Sequence, residues 1–242
     1  MPKDPMQALS SILLVDSLIL GLTIGLFWMG VFVAKKFGLP ASYGLEALGL
    51  ARPKPGYFAA TRLGVMVGVG ALVLGFVLNP LSAFVLERFD VSTESTVQEP
   101  FMQGIQDWVG ENPGIAIPAT VFVVVLFAPA IEEIIFRGAL FGGLRKLTSL
   151  LFGRLRGRGK ETGKAGEVVS FVFAALVSST AFALLHLEPV LLPVLLTLAI
   201  ALCAIYQRTG SLITTFTAHA TFNSFAVLIL VLSGLGALPT QM

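Results

Sequence analysis

Besides Asp16 and Arg62 in the first two apolar stretches, five ionisable side chains stand inside apolar stretches, where a charge is costly. They are Glu132, Glu133 and Arg137 in "AIEEIIFRG", His186 in "AFALLH" and His219 in "TAHATFNS". The chain has only two histidines, and both belong to this set. Ionisable groups at membrane depth are functional candidates by default. Glutamate can take a proton from water, and neutral imidazole exchanges protons near pH 7. An asparagine amide can donate to a developing oxyanion. Glu132, His186, His219 and Asn223 therefore make a sufficient kit for attacking an amide with water.

Helical spacing sorts these residues. Glu133 and Arg137 are four apart and share a face, so they can pair. Buried charges are normally paired, which makes Arg137 first an architectural partner. Glu132 is turned by about 100° on the same helix and needs its own reason to be there. Pro129 precedes it and predicts a kink, with freed carbonyls facing protein or a wet cavity. Phe182 and His186 are four apart on one face, as are His219 and Asn223, with Thr215 one turn before His219. The competing reading is that each histidine only joins two helices by a hydrogen bond. That reading weakens when the residues come from three helices of one small bundle.

The elements that must position them follow from composition. The 242 residues are 55% hydrophobic and 12% charged, with mean hydropathy +0.88. Soluble domains carry about 25% charged residues. The fold class is all-α, a polytopic transmembrane bundle of about six helices. Apolar runs of spanning length lie at about 8–34, 59–86, 115–143, 168–187, 190–206 and 211–235, since a span needs roughly 20 apolar residues. Only "HLEP" separates the fourth from the fifth, predicting a tight hairpin or one broken unit. The first run ends in Lys35 and Lys36 and is too long for a removable signal, so it reads as a retained span. The single Cys203 excludes an internal disulfide and a cysteine metal site.

The loops alternate in charge. Lys35, Lys36, Arg52 and Lys54 mark the first connection. Glu87, Asp90, Glu94, Glu99, Asp107 and Glu111 dominate the second. Arg145, Lys146, Arg154, Arg156, Arg158, Lys160 and Lys164 crowd the third, and Arg208 marks the fifth. Excess Lys and Arg mark the cytoplasmic side, which places both termini outside. Phe101, Ile105, Trp108 and Val109 predict a short helix on the outer surface. The leucines among basic residues in "GLRKLTSLLFGRLRGRGK" predict an extension of the third helix over anionic lipid, or simply a topology-setting loop. No groove of basic residues suggests nucleic acid.

"EEIIFR", "FALLH" and "HATFN" occur in the order EExxxR, FxxxH, HxxxN. This resembles the CPBP family, membrane-embedded proteases related to the type II CAAX prenyl endopeptidase and to bacteriocin-processing enzymes. The resemblance covers roughly residues 115–235. It implies an intramembrane endopeptidase core of four helices there, preceded by two helices and an outer loop (1–114) and followed by a short tail (236–242). It further implies that Glu132 and His186 activate water, and that His219 and Asn223 hold the oxyanion or position the water. Glu133 and Arg137 would fix the architecture, and Phe182 would pack beside the site. Expected partners are the bilayer and a membrane-associated protein or peptide substrate, and the expected location is a prokaryotic cell membrane. Zinc held by Glu132, His186 and His219 is one option. The lack of HExxH and the presence of Asn223 favour a metal-free mechanism.

Two other readings compete. One is a catalytically silent immunity or partner-binding protein of the same fold. The other is a small proton conductor, disfavoured because no inverted repeat is visible. The depths also conflict: with a helix start near residue 168, His186 would lie roughly 25 Å along it, against about 12 Å for His219 along the sixth helix from the same side. Asp16, in the first span, has no assigned role.

Overall fold

The computed structural model describes residues 5–38, 44–95, 98–155 and 163–238. Arg156, Arg158 and Lys160, part of the expected basic surface segment, lie outside the described residues. Six helices are long and apolar enough to cross a membrane. They are α1 (Pro5–Lys36), α2 (Tyr57–Arg88), a long third span (Pro113–Gly153), α7 (Gly163–Leu185), α8 (Leu192–Thr209) and α9 (Leu212–Gly234). A short helix, α3 (Gln98–Glu111), lies between the second and third.

The expected six helices are all present, and the boundary near residue 188 is settled: α7 stops at Leu185 and α8 starts at Leu192. They are two helices joined by residues 186–191. Gly210 at φ 67° ends α8, and Ser211 caps α9 by accepting from the Ile213 N–H at 3.3 Å.

The packing follows side-chain size. α1 is apolar all round and buries only Leu9 and Val31, leaving residues such as Leu18 and Leu22 on its outer surface. α2 buries a stripe of small residues: Ala60, Gly64, Gly68, Ala71 and Gly75. A Cβ on Gly64 would lie 2.6 Å from the Thr214 carbonyl oxygen, and one on Gly68 would lie 2.5 Å from that of Ala218. Both partners advance by four residues, so α2 and α9 run parallel with backbones in contact. Small residues spaced by four allow such close approach between helices in a membrane. This signal lay unread in the first half of the sequence.

The third span carries more irregularity than the expected disturbance at Pro129. It is one continuous helix that changes type: α4 (Pro113–Thr120), a π segment (Val121–Phe127), α5 (Ala128–Glu133), a second π segment (Ile134–Phe141) and α6 (Gly142–Leu155). π turns are rare and occur mostly as bulges within α-helices, frequently at functional sites. α5, with Pro129 near its start, is six residues long and lies between the two wide segments. α6 continues the span to Leu155, which agrees with the first of the two readings of the leucine-rich pattern.

The short helix expected between the second and third spans is also present. In α3, Ile105 and Val109 are fully buried and pack with Leu9 of α1, Ala116 and Val123 of the third span and Leu230 of α9. Gly234 sits on α3, where a Cβ would lie 2.6 Å from the Gln106 carbonyl oxygen.

Candidate active site

α5 and the π segment that follows it present Glu132, Glu133 and Arg137. Glu133 and Arg137 are both buried and paired, with Arg137 Nη1 2.9 Å from Glu133 Oε1. The guanidinium also lies over the Phe182 ring, 4.5 Å from its centroid. Delocalised, weakly hydrated guanidinium suits such a buried stacked position. Gly138, next in the chain, meets the backbone of Leu48, so a side chain there would displace the short turn Leu45–Leu48. The last letters of "AIEEIIFRG" thus record packing as well as charge.

Glu133 has a second partner that spacing did not reveal. His219 Nδ1 lies 2.9 Å from the same Oε1. A carboxylate paired with arginine only accepts, so Nδ1 carries the proton and donates it. That leaves His219 Nε2 facing Glu132 Oε2 at 3.7 Å, too far for a hydrogen bond. Glu132 Oε2 is buried without a hydrogen-bond partner among the described residues, while the Glu132 side chain as a whole is 24% exposed. The two glutamates therefore address opposite nitrogens of one imidazole.

Phe182 is fully buried and joins the two histidine segments. Its ring centroid is 4.7 Å from that of His186 and 5.4 Å from that of His219. Phe136 packs edge-on against it at 5.3 Å. Both histidines flank one ring, so the expected conflict of depths disappears. α7 starts earlier than residue 168, at Gly163, and His186 lies beyond the end of the helix, folded back over its last turn. His186 Nδ1 donates to the Phe182 carbonyl at 2.8 Å, since a carbonyl can only accept. Its Nε2 is thereby left with a lone pair. Burial holds the His186 imidazole below the usual histidine pKa and nearby Arg137 adds to this, while the Phe182 carbonyl and Glu188 oppose it.

Asn223 is anchored rather than free. Its Nδ2 donates to the Val124 carbonyl in the first π segment at 3.0 Å. An amide nitrogen has two protons, so one remains. Asp16 of α1 comes within electrostatic reach of Glu132, with its Oδ2 buried and unpartnered among the described residues. Glu188, in the "HLEP" link, is also buried, although the sequence offered only its place beside His186 as a signal.

Zinc held by Glu132, His186 and His219 would need these side chains to draw closer together. Among the described residues, no three His, Cys, Asp or Glu side chains converge as a metal-ligand set. Each histidine has Nδ1 engaged, by Glu133 or by the Phe182 carbonyl, and keeps Nε2 with a lone pair, which is also how metal-ligating histidines are held.

Comparison with known proteins agrees with the motifs. Residues 114–225 match the family model described as type II CAAX prenyl endopeptidase Rce1-like. The chain is also 29% identical over 117 residues to the membrane-embedded CAAX protease MroQ of Staphylococcus aureus (strain USA300). That match covers 48% of this chain and 41% of the relative, so it spans about two fifths of the relative's length. No solved structure gives a significant match. Through residues 114–225, the segment that carries Glu132, His186 and His219, the chain is similar to the Rce1-like type II CAAX prenyl endopeptidase family, over a little less than half of its length.

Proposed function

We propose that this protein is an intramembrane endopeptidase in which Glu132 is the general base. The observation that carries this reading is the pair of opposed contacts on His219, with Nδ1 on Glu133 and Nε2 turned toward the unpartnered Glu132 Oε2. A carboxylate fixed on one imidazole nitrogen sets the orientation of the ring. With a second proton taken up from solvent on Nε2, His219 donates to the oxyanion.

The sequence of bonds follows. Water, oriented by the His186 Nε2 lone pair, gives a proton to Glu132 as its oxygen attacks the peptide carbonyl carbon. His219 and the second amide proton of Asn223 hold the oxygen that becomes negative. The C–N bond then breaks, and Glu132 returns its proton to the departing nitrogen. Glu133 and Arg137 do not touch the substrate; they hold His219. No step passes through a metal.

Substrates are membrane-associated proteins or peptides, cleaved by residues 115–235 acting as the catalytic core. The alternating loop charges support an integral membrane location in a prokaryotic cell with both termini outside. The test is cleavage of a broad panel of membrane peptides by reconstituted protein and by its Glu132→Ala, His186→Ala and His219→Ala variants. Each substitution should abolish cleavage. Cleavage surviving all three would refute the mechanism, and a wild type that cleaves nothing would favour a silent partner-binding protein.

A further inference from the structure

His186 sits on six linking residues, 186–191, rather than on a helix. Regular hydrogen bonds therefore do not fix it. Its backbone N–H reaches Ala183 at 3.3 Å, a long contact at the fraying end of α7. Leu187 then takes φ 55°, a left-handed conformation that a branched side chain rarely adopts. Such conformations persist only where the surroundings over-determine them.

The surroundings here are built around Glu188. The residue is only 6% exposed, and Oε1 accepts from the Ser95 hydroxyl and from the Gln98 backbone N–H at 3.1 Å. Ser95 Oγ in turn accepts from the N–H groups of Gln98 at 3.1 Å and Glu99 at 2.9 Å. Ser95 and Glu188 together satisfy the first orphan donors of α3, where a negative charge is also favoured by the helix dipole. From the other side, the Ser82 hydroxyl of α2 donates to the Pro189 carbonyl at 3.4 Å. α3 is itself immobilised by Ile105 and Val109 in the core and by Gly234 of α9. The turn that carries His186 is thus bolted to a rigid outer helix by a single carboxylate.

We infer that Glu188 is the positioning residue for His186: it holds the 186–191 turn on the N-terminus of α3 and so places the imidazole beside Phe182. This rests on the proposed role of His186 in hydrolysis, but the placement itself can be read without any substrate.

The experiment uses the full chain in nanodiscs with 15N-labelled histidine. Two histidines give two sets of ring signals, assigned with His186→Gln and His219→Gln. In the wild type His186 should show the tautomer protonated at Nδ1. In Glu188→Ala the His186 signals should shift or broaden while those of His219 stay, and kcat should fall about 10²-fold, as a displacement near 1 Å costs, with KM little changed. Glu188→Gln keeps an oxygen acceptor for Ser95 and Gln98 and should restore both readouts. If Glu188→Ala does not fold, Ser95→Ala, which removes one donor to the same oxygen, should shift the His186 signals in the same direction by less. The inference is overturned if the His186 signals ignore the folded substitutions, if both histidines move alike, or if Glu188→Gln is as impaired as Glu188→Ala. A His186 shift in a protein that cleaves nothing supports the positioning role and refutes the protease reading.

Discussion

Glu132 and Glu133 are neighbours in the chain and occupy opposite kinds of surroundings. Glu133 is sealed, with one oxygen shared between Arg137 and His219 at 2.9 Å each. Glu132 is partly open, with a buried oxygen that nothing satisfies among the described residues. A buried ion pair contributes little net stability, because desolvation offsets its attraction. Its use here is geometric: it fixes one imidazole nitrogen so that the other meets the open carboxylate. The closed side is a frame and the open side is where a reaction can occur.

That division can be broken at either side. Arg137→Ala strands the buried Glu133 charge and should cost about 3–5 kcal/mol, read as a large loss of folded protein in thermal unfolding in detergent. Glu132→Gln should leave the unfolding temperature unchanged while lowering kcat by about 10³-fold, within the range for loss of a general base. Equal loss of stability in the two variants would erase the distinction. Asn223→Ala should lower kcat about 10²-fold if its free amide proton serves the oxyanion. A drop in stability alone would reduce Asn223 to a brace for Val124. Thr215→Val tests the edge of the frame. Thr215 is near enough to Glu133 to act on it, but its hydroxyl donates to the Leu212 carbonyl at 3.1 Å. The change should cost no more than about 1 kcal/mol, with kcat close to wild type.

The helices were legible because spanning runs must be apolar throughout, and α3 because its apolar residues repeat at helical spacing. The separation of Glu132 from Glu133 was legible from rotation about one helix. The contact of His219 with Glu133 was not, since it joins residues 86 apart and no local spacing encodes it. The fold-back of His186 was hidden for a related reason: it depends on where α7 stops, and helix ends are poorly marked in a continuous apolar stretch. The stripe from Ala60 to Gly75 was readable as spaced small residues, but only α9 shows what it is for. Pro129 pointed to an irregular helix at the right place, but not to the π segments on either side of it.

The two π segments have a consequence for anyone reading this span by eye. A helical wheel assumes a constant angle per residue. The wider turns of Val121–Phe127 and Ile134–Phe141 alter that angle on both sides of Glu132. The span behaves as a phase shifter: the wheel that orients α4 is out of step at α5, and out of step again at α6. Faces drawn from the N-terminal end of the span therefore do not forecast where Arg145 and Lys146 point at its far end.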